Sequence, residues 1–163
     1  MENDRIKRLR RGLRRQVQWG QNLFLAIIAV SLVNQLMLWM RVEYHFLFSA
    51  AMPYYLNWLA FQLPNTALKV VAVIATLALY AVYAGCWFFF WRREWLTAAI
   101  SLYAVDTVLL IVMAFVLLGN PLSCLLEILI HALALVVLLP SRKACLRLEQ
   151  LSRQAESQKE RFT

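Results

Sequence analysis

The sequence predicts an all-α integral membrane protein, four transmembrane helices in a bundle, and three observations carry that reading. The first is composition: 62% of the 163 residues are hydrophobic and 16% are charged. Soluble domains carry roughly 45–50% apolar and about 25% charged residues, and a chain this short has too few buried positions for the excess. The second is the presence of four apolar stretches long enough to cross ~30 Å of hydrocarbon at 1.5 Å per residue. The third is that basic residues gather beside those stretches. With 13% aromatics and only 4 Gly and 4 Pro, disordered and collagen-like chains are excluded.

Residues 1–18 read as a basic amphipathic cytoplasmic helix. Ile6, Leu9, Leu13 and Val17 form one apolar stripe, and the rest of the surface is rich in Arg and Lys. Such a helix is expected to lie flat on an anionic bilayer surface, held by Arg8, Arg11, Arg14 and Arg15, before the chain turns inward at Trp19. It is not a cleavable signal, because the apolar run that follows spans 22 residues and no small-residue cleavage site is near.

The first span covers residues 19–40. The outer aromatic segment 42–65 follows. Within it, residues 46–63 are nearly long enough to cross, but they hold Pro53, Asn57, Gln62 and many aromatic rings. Amphipathic rings favour the interface, so this part reads as an outer interfacial or re-entrant segment. The second span, 66–90, starts cleanly at Pro64-Asn65-Thr66. The third covers 95–118, and Gly119-Asn120-Pro121 breaks the chain. The fourth, 122–139, is expected to stop at Pro140. In the basic cytoplasmic tail, 141–163, Leu148, Leu151 and Ala155 share one face of a short helix.

The charges give an orientation. Fifteen of the 17 basic residues fall in residues 5–15, the pair Arg92–Arg93 and residues 142–161, leaving only Arg41 and Lys69 for the outer connections. Both termini are therefore expected in the cytoplasm of a bacterial-type plasma (inner) membrane. A fifth crossing through 46–63 would put Arg92, Arg93 and the tail outside, against the rule. The same clustering explains the pI of 9.9 by anionic lipid at the cytoplasmic face, not by nucleic acid. The other partners expected are a homo-oligomer or a membrane protein.

Chemistry has few candidates. No GxxxxGK[ST], GxGxxG, HExxH or GxSxG pattern occurs, and no cofactor or metal is expected, so the chain does not read as an enzyme. Cys86, Cys124 and Cys145 have no CxxC spacing and read as small buried hydrophobes. Small multidrug exporters also have four spans, but they place their essential carboxylate in the first, where this chain has Asn34 and Gln35. The aromatic run Trp87–Trp91 with Trp95 reads as an interfacial belt around the inner turn.

The ionisable residues inside the spans are Asp106, Glu127 and His131, each costly in hydrocarbon unless it meets a partner or water. Folding the last two spans about residues 119–120 puts Asp106 within one helical turn of His131. Glu127 and His131, spaced i,i+4, share a face, and Glu127 is level with Asn34. Asp106, Glu127, His131 and Asn34 thus form a candidate proton, ion or structural polar cluster. Two functions follow: a non-enzymatic accessory or interaction subunit, or a small proton- or cation-coupled transporter or channel using the Asp/Glu/His cluster.

Overall fold

In the computed structural model residues 2–42, 46, 48–116 and 121–160 are described, with side chains at 5–42, 46, 48–116 and 125–157. The Gly119-Asn120 break and the Cys124 side chain lie outside the described residues. The described chain is helical, without strands: α1 (Glu2–Trp39), α2 (Ala51–Gln62), α3 (Thr66–Phe88), α4 (Arg93–Val116) and α5 (Pro121–Glu160). Four of these, α1, α3, α4 and α5, are long and apolar enough to cross a membrane. Their outward faces form an apolar belt that includes Val71, Ile74, Val108, Phe115 and Val136, all more than half exposed. Water-soluble monomers rarely tolerate a continuous apolar surface of that kind.

The inward faces pack around Phe24, Ile27, Tyr83, Phe90, Leu96, Tyr103 and Leu138. Phe24 lies 5.8 Å from the Tyr83 ring and 6.0 Å from Phe90. The aromatic run around the turn after α3 is therefore divided: Phe90 is fully buried, Phe89 packs on Trp95 at 5.1 Å, and Phe88 and Trp91 are exposed. The expected belt is half core, because the tight turn after α3 points alternate rings in opposite directions. Cys86 and Cys145 are buried and free.

Two boundaries differ from expectation. At 1.5 Å per residue α1, with 38 residues, is ~57 Å long and α5, with 40, is ~60 Å, whereas the 23 and 24 residues of α3 and α4 give ~35 Å. The outer two helices overshoot the inner two by ~20 Å and pack on each other as an antiparallel stalk. Arg10 donates to the Leu151 carbonyl (2.9 Å) and Ser141 to the Gln16 carbonyl (3.1 Å).

The chain does not turn at Trp19. The stripe expected to meet lipid is instead shared, since Leu13 and Val17 are buried against Ala144, Cys145, Leu148 and Leu151 while Ile6 and Leu9 stay exposed. Nor does Pro140 end the last helix. A proline inside a helix removes one N–H and crowds the carbonyl four residues back. Here the next residue, Ser141, turns its hydroxyl toward the carbonyls of Val137 (3.4 Å) and Gln16. Gly20 sits opposite, and a Cβ there would lie 2.9 Å from the Ser141 Cβ and collide with its hydroxyl. Glycine lets α1 and α5 touch at this crossing.

At its other end α1 stops in a Schellman turn. Arg41 takes φ 59°, Val42 N donates to Met37 O (2.9 Å) and Arg41 N to Leu38 O (3.1 Å). The chain then re-enters the bundle. Phe46 lies at the level of Asn34 and Ala50 at that of Ser31, and α2 returns toward the same end. Ala51, Pro53, Tyr55, Asn57 and Ala60 of α2 are buried. α2 thus packs against α1, α3 and α4.

A candidate polar site at the start of the inserted helix

Residues 46 and 48–50 are not helical, so their backbone groups need partners from elsewhere; buried without them, each would cost several kcal/mol in an apolar surrounding. α1 supplies several. The Asn34 amide accepts from Phe46 N (2.7 Å) and donates to Phe46 O (2.7 Å) and to Ser49 Oγ (2.8 Å). Ser31 accepts from Ala50 N (2.6 Å), while its own carbonyl takes the Tyr80 hydroxyl (2.8 Å). Further along, Asn57 donates to Thr76 Oγ1 (2.7 Å). The Gln35 amide, its nitrogen toward Pro53 O (3.2 Å), accepts from Trp39 Nε1 (2.9 Å).

The free N–H groups at the start of α2 are met from α4. The N-cap position is Ala50, which has no side-chain acceptor. Asp106, fully buried, takes its place: Oδ2 accepts from Ala51 N (2.8 Å) and Oδ1 from Met52 N (2.6 Å). A carboxylate at this end also meets the positive pole of the helix dipole. Both oxygens are engaged by one helix start. Asp106 lies ten residues before the end of α4, which places the tip of the insertion ~15 Å inside the bundle.

His131 stands next to this carboxylate. Its Nε2 is 3.4 Å from Asp106 Oδ2, near enough for an ion pair but not aligned as a hydrogen bond. Its Nδ1 meets the Glu127 carbonyl at 3.0 Å, and its ring stacks on Tyr103 at 5.0 Å, 5° from parallel. If Nδ1 carries the hydrogen toward that carbonyl, Nε2 faces the carboxylate with a lone pair unless a further proton sits on the pair. The arrangement can therefore hold one proton between imidazole and carboxylate. Tyr83 and Tyr103 hydroxyls and His131 Nε2 are buried without hydrogen-bond partners among the described residues.

The structure brings Asp106 and His131 together and puts Glu127, 5% exposed, on the same face of α5. It does not join Glu127 to Asn34 or Lys69, since the Asn34 amide is occupied by Phe46 and Ser49. Among the described residues no three His, Cys, Asp or Glu side chains converge as a metal site. Sequence reasoning missed Ser31, Ser49 and Thr76. The one available signal was Ala50, a poor cap for a helix that starts immediately after it, which calls for an acceptor from elsewhere. Arg8, Arg11, Arg14 and Arg15 are exposed and line a shallow groove with Gly12 and Gln18, and Arg14 also borders the space between α1, the α3–α4 turn and α5.

Compared with protein families, with curated proteins and with solved structures, the chain matches none.

Proposed function

We propose that the chain is a multi-pass inner-membrane protein with cytoplasmic termini, acting as a non-enzymatic accessory subunit. Its two-helix stalk presents an arginine face to a partner at the membrane surface. The observation that carries this reading is the stalk itself. α1 and α5 extend ~20 Å beyond the inner helices, bury Leu13 and Val17 between them, and turn Arg8, Arg11, Arg14 and Arg15 outward. On this reading the intramembrane polar residues have a structural duty. Asp106, Asn34 and Ser31 hold a re-entrant segment whose backbone would otherwise be unsatisfied in lipid.

The test is photocrosslinking in cells from probes at Arg11 and Gln18, with Val71 as a lipid-facing control. One protein adduct specific to the stalk probes, weakened by joint replacement of Arg8, Arg11 and Arg15 with Gln, is expected. Adducts equal at Val71, or none, would overturn the accessory role.

One observation favours the second reading, a small proton- or cation-coupled transporter. Among the described residues the buried Tyr83 hydroxyl, Tyr103 hydroxyl and His131 Nε2 have no hydrogen-bond partner, and His131 Nε2 stands 3.4 Å from the buried Asp106 carboxylate; such groups bind protons or water. Proton flux in proteoliposomes separates the two. Flux that Glu127→Gln removes would move the assignment to transport, and its absence keeps the structural duty.

A further inference from the structure

Where the stalk meets the bundle, α1, the α3–α4 turn and α5 line an open cavity of about 660 Å3. Five arginines line it (Arg10 and Arg14 from α1, Arg92 and Arg93 from the turn, Arg153 from α5), against two glutamates, Glu94 and Glu149. Two of these cations are already engaged: Arg10 donates to the Leu151 carbonyl at 2.9 Å, and Arg153 pairs with Glu149 at 2.6 Å. Arg14, Arg92 and Arg93 have no carboxylate partner among the described residues. Arg92 rests over the Phe89 ring at 5.3 Å, which fixes its position without neutralising it.

A guanidinium does not deprotonate to relieve repulsion, so three of them gathered at one cavity, beside only two glutamates, favour a bound anion. The surroundings say which kind. Trp91, anchored by its Nε1 to Gln21 Oε1 (2.9 Å), and Leu148 give the cavity apolar walls. Exposed Phe88 continues the apolar belt at the same end of α3. The first turn of α4 begins at Arg93, and its first N–H groups have no helical carbonyl to meet. Clustered guanidinium forks beside an apolar wall match a phosphate that is attached to acyl chains.

We infer that this cavity binds the phosphate headgroup of an anionic phospholipid, one bearing two phosphates fitting the three unpaired arginines best. The inference rests on reading this end of the bundle as a membrane–cytoplasm boundary. It does not need a protein partner on the stalk.

The experiment uses the purified full chain in neutral detergent, titrated with diphosphatidylglycerol, phosphatidylglycerol, phosphatidylcholine or inorganic phosphate and read by native mass spectrometry. Saturable binding is expected, tightest for diphosphatidylglycerol and absent for phosphatidylcholine. Joint replacement of Arg14, Arg92 and Arg93 with Gln should weaken it about tenfold or more. Replacement of Arg8, Arg11 and Arg15 with Gln removes the same charge outside the cavity and should change it less than about twofold.

Should the first triple variant fail to fold, Arg93→Lys keeps the charge, loses the planar fork, and should still weaken binding measurably. Equal weakening by both triples would reduce the effect to diffuse surface charge and overturn the site. Non-saturable uptake would do the same. Inorganic phosphate displacing the lipid at equal concentration would overturn the lipid as its source. Binding is read on the isolated chain, so a failed crosslink to a protein partner leaves this result standing, and the reverse also holds.

Discussion

The two ends of this molecule are held together by opposite means. Around the inserted segment, polar side chains meet backbone atoms: Asn34 on Phe46, Ser31 on Ala50, Asp106 on Ala51 and Met52. In the stalk two unbroken helices meet through Leu13, Val17, Ala144 and Leu148, with glycine at the closest crossing. The difference follows from the backbone. A continuous helix satisfies its own N–H and C=O groups and asks only for shape from its neighbour. A chain that enters and leaves by one end breaks that pattern, and each broken hydrogen bond needs a side chain delivered to it. Asn34, Ser31 and Asp106 mark where the backbone is irregular.

The strongest way to break this contrast is Asp106→Leu. It leaves the N–H groups of Ala51 and Met52 buried without an acceptor and should destabilise the fold by about 2–4 kcal/mol, read as thermal unfolding in nanodiscs. A cysteine placed at Ser49 should at the same time become reactive to a maleimide. If stability and labelling both stay at wild-type level, the carboxylate does not hold the insertion.

Next in size is Gly20→Val, which acts only on the stalk. Overpacking of a tight contact costs about 1–3 kcal/mol, and the stalk should open to trypsin at Arg147 and Arg153 while the Ser49 label stays protected. Protection lost at both ends would mean that the two regions are not held independently.

The smallest effect sharpens the comparison within the polar end. Both Asp106 oxygens are already taken by amides, so His131→Leu should cost far less than Asp106→Leu. The coupling between Asp106→Asn and His131→Leu in a double-mutant cycle should stay near ~0.6 kcal/mol, the usual size between membrane helices. Coupling of several kcal/mol would show the imidazole to be the main partner of the carboxylate.

Much of this was readable from residues alone, and the failures are instructive. The long apolar helices announce themselves by hydropathy, and a hairpin about residues 119–120 brought Asp106 to His131, now seen at 3.4 Å. That worked because a helix hairpin has a single register once its turn is placed. The insertion was visible only as an ambiguous aromatic segment. Its partners are backbone amides, which every residue possesses, so nothing in residues 46–52 points to Asn34 or Asp106. Pro140 misled because its penalty is local, whereas the contacts that carry the helix through it come from Gln16 and Gly20, more than a hundred residues away. The N-terminal stripe misled for a related reason. An apolar face at helical spacing does not say whether lipid or another helix covers it.

The bond between Arg10 and the Leu151 carbonyl joins residues 141 positions apart, and that separation governs the order of assembly. α1 leaves the ribosome before its stalk partner α5. Throughout synthesis the face carrying Leu13 and Val17 waits uncovered, while α2, α3 and α4 are made and placed. α5 is therefore the helix that closes the stalk, and a chain stopped short of Ser141 leaves the Leu13 and Val17 face without its cover of Ala144, Cys145, Leu148 and Leu151.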